Sequence, residues 1–151
     1  KEGKKGKVTP KIPQELKRWL LENEDFVILE EGDLFRAIPI QHHALYDQVQ
    51  RNLKVVHAGI ELASVKGKNL QPSQSLAMSN CLNKEVFPIA EVDEQQAIAY
   101  LRTEALQLPA NTPKGYVLIT YQGHPLGFAK NIGNRANNLY PAEWRIRKSE
   151  K

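Results

Sequence analysis

Gly115-Tyr116-Val117-Leu118-Ile119-Thr120-Tyr121 is followed by Gln122-Gly123-His124-Pro125 and then by Leu126-Gly127-Phe128-Ala129. The first run is almost wholly β-branched and aromatic, the residue types that fit a pleated, half-buried surface. The middle four carry the glycine of a turn, and the last run returns as a second strand. A hairpin over residues 115–129 is therefore the firmest local expectation. Beyond it, Gly133, Asn134, Asn137 and Asn138 form a polar connection that should bring Tyr140, Pro141 and Trp144 back against the sheet. The segment ends in Arg145-Ile146-Arg147-Lys148.

Upstream of the hairpin, Pro109, Asn111 and Pro113 mark a loop, and Asp93 with Gln96 has the spacing of a capping box ahead of a helix carrying Ile98, Tyr100 and Leu101. Pro72-Ser73 reads as the start of a short helix with Leu76, Ala77 and Met78 on its buried side. Ile60-Glu61-Leu62 leads into a Lys66-Gly67-Lys68 turn with two positive charges at its tip. Phe26 to Leu29 and Leu34 to Ile38 are β-favouring runs joined by Glu30-Glu31-Gly32-Asp33. Residues 45–53 suggest a short helix. Leu16, Trp19 and Leu20 recur at helical spacing after Pro13, predicting a helix of about three turns. Residues 1–11 hold five lysines against Glu2 and no large apolar side chain except Val8. They cannot repay ordering entropy and read as a flexible basic linker. No internal repeat of fixed period is visible.

A chain of 151 residues with 41% hydrophobic and 25% charged residues is long enough for one core and too short for a large multidomain enzyme. No apolar run approaches the roughly 20 residues that cross a bilayer, so a soluble, cytoplasmic protein is expected. The formal charge of +4 is unevenly spread. Residues 12–50 hold three basic and eight acidic side chains, whereas residues 51–151 hold 13 basic and 8 acidic ones. Such segregation can hold a polyanion even when the total is modest, although solvated faces of opposite sign would look the same.

Candidate chemistry is sparse. His42, His43, His57 and His124 lack partners at metal-ligand spacing, and Cys81, the one cysteine, can form neither an internal disulfide nor a multi-cysteine zinc site. Glu30 and Glu31 would point to opposite strand faces and so cannot flank one bond. No glycine-rich strand-to-helix turn supports nucleotide binding. The informative stretch is residues 127–141. Lys130 and Arg135 can meet phosphates, Asn134, Asn137 and Asn138 can meet sugar or base edges, and the glycines allow close backbone approach. The same asparagines also suit left-handed turns, and Phe128, Tyr140 and Trp144 also suit packing. Both readings stand at this point.

In these motifs the chain resembles the C-terminal part of the RsmF-like branch of the Sun (Fmu) family of RNA cytosine-C5 methyltransferases. The resemblance rests on Leu126-Gly127-Phe128-Ala129-Lys130, Gly133-Asn134-Arg135, Asn137-Asn138, Tyr140-Pro141 and Trp144-Arg145. It rests also on Ala58 to Leu62, Gln71 to Met78 and Tyr100 to Leu106. These segments follow the family's order over most of residues 53–147. The family favours lysine where Asn137 stands, tryptophan where Phe128 stands and glycine where Thr103 stands.

The resemblance implies an α+β fold: a small α+β intermediate domain, here residues 12–69, followed by a PUA-like mixed β pseudo-barrel, residues 70–151. It implies ribosomal RNA as partner; on that reading Lys130, Arg135, Arg145 and Arg147 are expected to attract phosphates, with Lys66 and Lys68 as a second patch, and Asn134 and Asn138 to contact sugar or base. It also implies S-adenosylmethionine as cofactor of a separate methyltransferase domain of the same polypeptide. The family's catalytic Pro-Cys and Thr-Cys pairs do not occur here, so the chain alone is expected not to methylate and to bind no cofactor. The alternative is a structural module that docks on that catalytic domain, or on another protein, without touching RNA.

Overall fold

Pro13 accepts the Leu16 N–H and opens a short helix, α1 (Gln14–Arg18), in the computed structural model, which describes residues 13–39 and 59–147. The basic leader, the helix expected over 45–53, His42, His43, His57 and Lys148 lie outside the described residues. Helix α1 is one and a half turns rather than three. It stops at Arg18 because Leu20 bridges to Leu82, and Glu22, in a left-handed conformation (φ 51°), keeps the path from resuming as an α-helix. The apolar spacing still does its work: Leu16, Trp19 and Leu20 are all buried.

Four strands follow in an antiparallel meander: β1 (Phe26–Glu31), β2 (Leu34–Pro39), β3 (Ile60–Lys66) and β4 (Asn69–Pro72), in that spatial order. Phe35, Ala37 and Leu62 face the core from this sheet. Arg36, almost wholly buried, pairs with Glu31 at 3.1 Å. Helix α2 (Gln74–Met78) buries Leu76 and Ala77, whereas Met78 is exposed, contrary to expectation. Five residues make too little helix for a wider apolar face.

The second sheet is mixed. Strand β5 (Ile89–Glu91) runs parallel to β6 (Gly115–Tyr121), which pairs antiparallel with β7 (His124–Asn131), and β7 with β8 (Ala136–Asn138). Parallel neighbours require a crossover, here α3 (Glu94–Leu101) and the proline-containing loop after it. The expected capping box is present: Asp93 accepts the Gln96 N–H at 2.8 Å and the Gln96 side chain reaches back. The hairpin turn is Gln122-Gly123, both with positive φ as a type I′ turn requires, and Pro125 belongs to β7 rather than to the turn.

A bulge then decides the faces. Pro125 sits opposite Thr120, but Gly127, not Leu126, sits opposite Ile119. The slipped register pairs Phe128 with Leu118 and Lys130 with Tyr116. Leu118 and Phe128 thereby join Leu16, Trp19, Phe35 and Leu62 in one apolar cluster between the sheets, through a chain of rings: Trp19 to Phe87 at 5.1 Å and Phe87 to Phe128 at 4.9 Å. Val117, Ile119 and Ala129 face the other way, into a second cluster under α3 with Tyr100. The architecture is thus α+β, two four-stranded sheets with few helical turns. Among the described residues no helix is long and apolar enough to cross a membrane.

Helix α3 ends in a Schellman arrangement. Glu104 N–H bonds to Ala99 O at 3.0 Å and Thr103 N–H to Tyr100 O at 2.9 Å, with Thr103 at φ 66°. A β-branched residue is strained there, which explains why glycine suits this position. Thr103→Gly should stabilise the protein by about 0.5–1 kcal/mol, the relief of left-handed strain slightly exceeding glycine's entropy in the unfolded chain. A urea titration checks this; a lower midpoint would contradict it.

Candidate nucleic-acid interface

The register of the second sheet sets Tyr116, Lys130 and Asn137 in one row across β6, β7 and β8. This row lies on the face that carries Leu118 and Phe128, beyond the edge of the apolar cluster. The Lys130 ammonium sits 5.6 Å from the Tyr116 ring centroid, a cation–π contact. Arg135, exposed in the turn between β7 and β8, donates from Nε to Asn137 Oδ1 at 3.3 Å, so a second cation lies beside the row. Gly133 in that turn lies against the Lys114 side chain.

Across from the row stand residues of the first half of the chain. A cleft of about 480 Å³ is lined by Arg18 of α1, Lys68 and Asn69 of the β3–β4 turn, and Tyr116 and Lys130 of the second sheet. Trp19 and Phe87 close its floor, and Glu15 supplies the one carboxylate on its wall. The structure thus brings Lys68 and Lys130, sixty residues apart in sequence, to one cavity. Lys66 ends β3 beside it, exposed. Burial raises the Tyr116 phenol pKa, so its ring meets the cleft as a neutral surface.

The asparagines divide. Asn134 is exposed in the turn. Asn138 holds the architecture: its Nδ2 donates to Tyr100 O and Glu104 O, both at 2.8 Å, and its Oδ1 accepts the Tyr140 N–H at 2.8 Å. These bonds tie β8 to the end of α3 and occupy both amide hydrogens. Asn131, not singled out from sequence, is buried and pins the preceding loop by donating to Thr112 O and Pro113 O. Arg145 and Arg147 are exposed on a different part of the surface, where the Ile146 N–H meets Leu101 O at the end of α3.

Arg18 and Tyr116 were missed by sequence reasoning. Arg18 falls in the acidic half of the chain, and only the packing of α1 near β7 gives it positive neighbours. Tyr116 could have been paired with Lys130 only by knowing the bulge.

At the far end of the hairpin, Glu91 accepts from Thr120 Oγ1 at 2.7 Å and from the Gln122 and Gly123 amides. The Thr120 hydroxyl, then those amides, hold its carboxyl pKa below the usual value against some desolvation. This carboxylate is a turn clamp rather than an acid catalyst. Cys81 is half-buried and its carbonyl receives the Leu21 N–H. Among the described residues no group of three or more His, Cys, Asp or Glu side chains could hold a metal. The described residues also do not fit S-adenosylmethionine. The two helices that follow strands are preceded by Pro72-Ser73 and Val92-Asp93, without glycine, and Asp93 already occupies the first-turn amide of α3.

Known proteins match the chain in sequence. Residues 87–146 match the family described as the methyltransferase RsmF PUA domain. Ribosomal RNA small subunit methyltransferase F of Aeromonas salmonicida is 31% identical over 95% of this chain, which spans 31% of that protein. Its namesake in Shewanella loihica is 27% identical over 78% of the chain and 23% of its own length. The Escherichia coli O157:H7 protein is 34% identical over 56% of the chain and 18% of its own. The chain therefore spans less than a third of these relatives. These matches support an RsmF-like C-terminal fragment, with residues 87–146 similar to the PUA domain of that family.

Proposed function

We propose that this chain is the RNA-binding portion of an S-adenosylmethionine-dependent ribosomal RNA cytosine-C5 methyltransferase, holding structured RNA for a catalytic domain of the same polypeptide. The observation that carries this reading is the cleft in which Arg18 of α1, Lys68 of the first sheet's β3–β4 turn and Lys130 of the second sheet converge around Tyr116. Lysine and arginine attract phosphates regardless of sequence, and a neutral ring between them offers a face to a sugar or base. Arg135 and Asn134 extend the cationic surface along the β7–β8 turn, and Lys66 extends it along β3. Arg145 and Arg147 make a separate basic patch, while Asn138 keeps β8 in place for both. The chain itself contributes positioning rather than methyl transfer.

A salt titration tests this. With ribosomal RNA fragments followed by anisotropy, the slope of log affinity against log salt should fall by about 0.7–0.9 in Lys130→Ala, the loss of one phosphate contact. An unchanged slope removes Lys130 from the interface. Unchanged RNA affinity with lost binding to the separated methyltransferase domain would replace the reading by protein docking.

A further inference from the structure

Trp144 departs from the packing role its residue type suggested. It is 53% exposed, whereas the chain's other tryptophan, Trp19, is 4% exposed. Yet it is firmly held. Its backbone N–H bonds to Pro141 O at 3.0 Å, and two residues later Ile146 N–H bonds to Leu101 O at 2.9 Å. Its ring meets Tyr140 edge-on at 6.2 Å, and Tyr140 packs on Tyr100 at 5.4 Å. Tyr100 is fully buried and anchored through its hydroxyl to Phe128 O at 2.8 Å. An aromatic ladder therefore runs from the core to the surface and ends in a large, uncovered ring. Arg145 and Arg147, both exposed, follow it, and Glu143 precedes it in the chain.

We propose that Trp144 is a stacking platform for an unpaired RNA base, with Arg145 and Arg147 taking the adjoining phosphates. This rests on the RNA reading above but concerns a separate surface and a narrower ligand class. A preorganised ring stacks any base, because every base has a π-face, and neighbouring guanidinium groups supply the backbone attraction. A duplex hides its base faces and cannot use the ring. The patch thus selects single-stranded or looped RNA, while the cleft around Tyr116 and Lys130 attracts backbone of either kind.

The full 151-residue chain provides its own probe, since Trp144 is the exposed indole and the Trp144→Phe protein, which keeps only Trp19 at the cleft floor, supplies the signal to subtract. Titration with a short unpaired oligoribonucleotide should quench the exposed emission in parallel with an anisotropy signal from the labelled RNA. Trp144→Ala should weaken binding of the unpaired RNA about tenfold, the order set by one base–aromatic stack. Trp144→Phe should lie between it and wild type, and duplex of equal length should bind all three alike. The graded series separates stacking from misfolding, which would lower both ligands together. Unquenched emission at saturating RNA, or equal affinities across the series, overturns the proposal and leaves the cleft reading intact. Loss of duplex and unpaired binding alike in Lys130→Glu, with the Trp144 series flat, assigns all contact to the cleft and also overturns it. Failure of wild type to bind any RNA sinks the parent reading instead.

Discussion

Gly127→Ala should destabilise the protein by about 3 kcal/mol, well above the roughly 1 kcal/mol of an average substitution. A Cβ at this position would collide with the Tyr100 hydroxyl and meet Gln74 Oε1 at 2.5 Å. Neither side chain is free to swing away. Tyr100 Oη donates to Phe128 O at 2.8 Å, and Gln74 Nε2 donates to Leu126 O at 2.8 Å. The methyl group must therefore disturb the buried Tyr100–Phe128 hydrogen bond and the partly buried Gln74–Leu126 one, or shift β7 itself, and β7 carries the bulge that faces Lys130 into the cleft. Tyr100→Phe alone should cost only about 1 kcal/mol, because Phe128 O keeps the Leu139 N–H. Combined, the two changes should cost at least about 1 kcal/mol less than their sum, since removing the hydroxyl removes the principal clash. Urea denaturation of the four proteins measures the cycle. Simple additivity would show that the close approach at Gly127 is not what fixes this residue.

Charge reversal at both walls of the cleft, Lys68→Glu with Lys130→Glu, should lower affinity for structured RNA about 100-fold at low salt. Each charged hydrogen bond to phosphate contributes about 1.5 kcal/mol, a factor near ten, and a carboxylate adds repulsion to the loss. Stability should barely change. Lys68 is exposed, and the Lys130–Tyr116 contact contributes only about 0.5–1 kcal/mol. A thermal melt beside the binding curve separates the two effects. The deficit should shrink as salt rises, because screening weakens attraction and repulsion alike. A deficit independent of salt would point to altered shape rather than charge, and wild-type affinity in the double variant would move the interface elsewhere.

The elements that sequence predicted well are those governed by local chemistry. The Asp93–Gln96 capping box, the β6–β7 hairpin and the Lys66–Lys68 turn all follow from the residues within a few positions of each. α1 is shorter than its apolar spacing suggests because Leu16, Trp19 and Leu20 mark a buried face, not a length, and the chain leaves the helix after Arg18 to bridge Leu20 to the distant Leu82. Met78 is expected on the buried side of its helix and Trp144 suits either packing or contact; their exposure depends on what the rest of the chain does or does not lay over them. The candidate site was legible in half. Lys68 and Lys130 stand out as cations near turns, but their meeting depends on a single extra residue in β7. Without the bulge, the pairing from the Gln122-Gly123 turn would set Lys130 opposite Gly115 and turn Phe128 toward α3. Asn138 shows the opposite failure: its residue type suits RNA contact, and only its three backbone partners reveal a brace.

The stack of Trp19, Phe87 and Phe128 beneath the cleft has a kinetic corollary. Its opposing walls stand on a common foundation, so they cannot spread or clamp without pulling those rings apart. The free protein consequently already has its bound outline, and any bending or unpairing needed at encounter falls to the nucleic acid. Association should accordingly speed up for RNAs whose loops are pre-bent to fit, with β6 and β7 keeping the same backbone hydrogen bonds before and after the encounter.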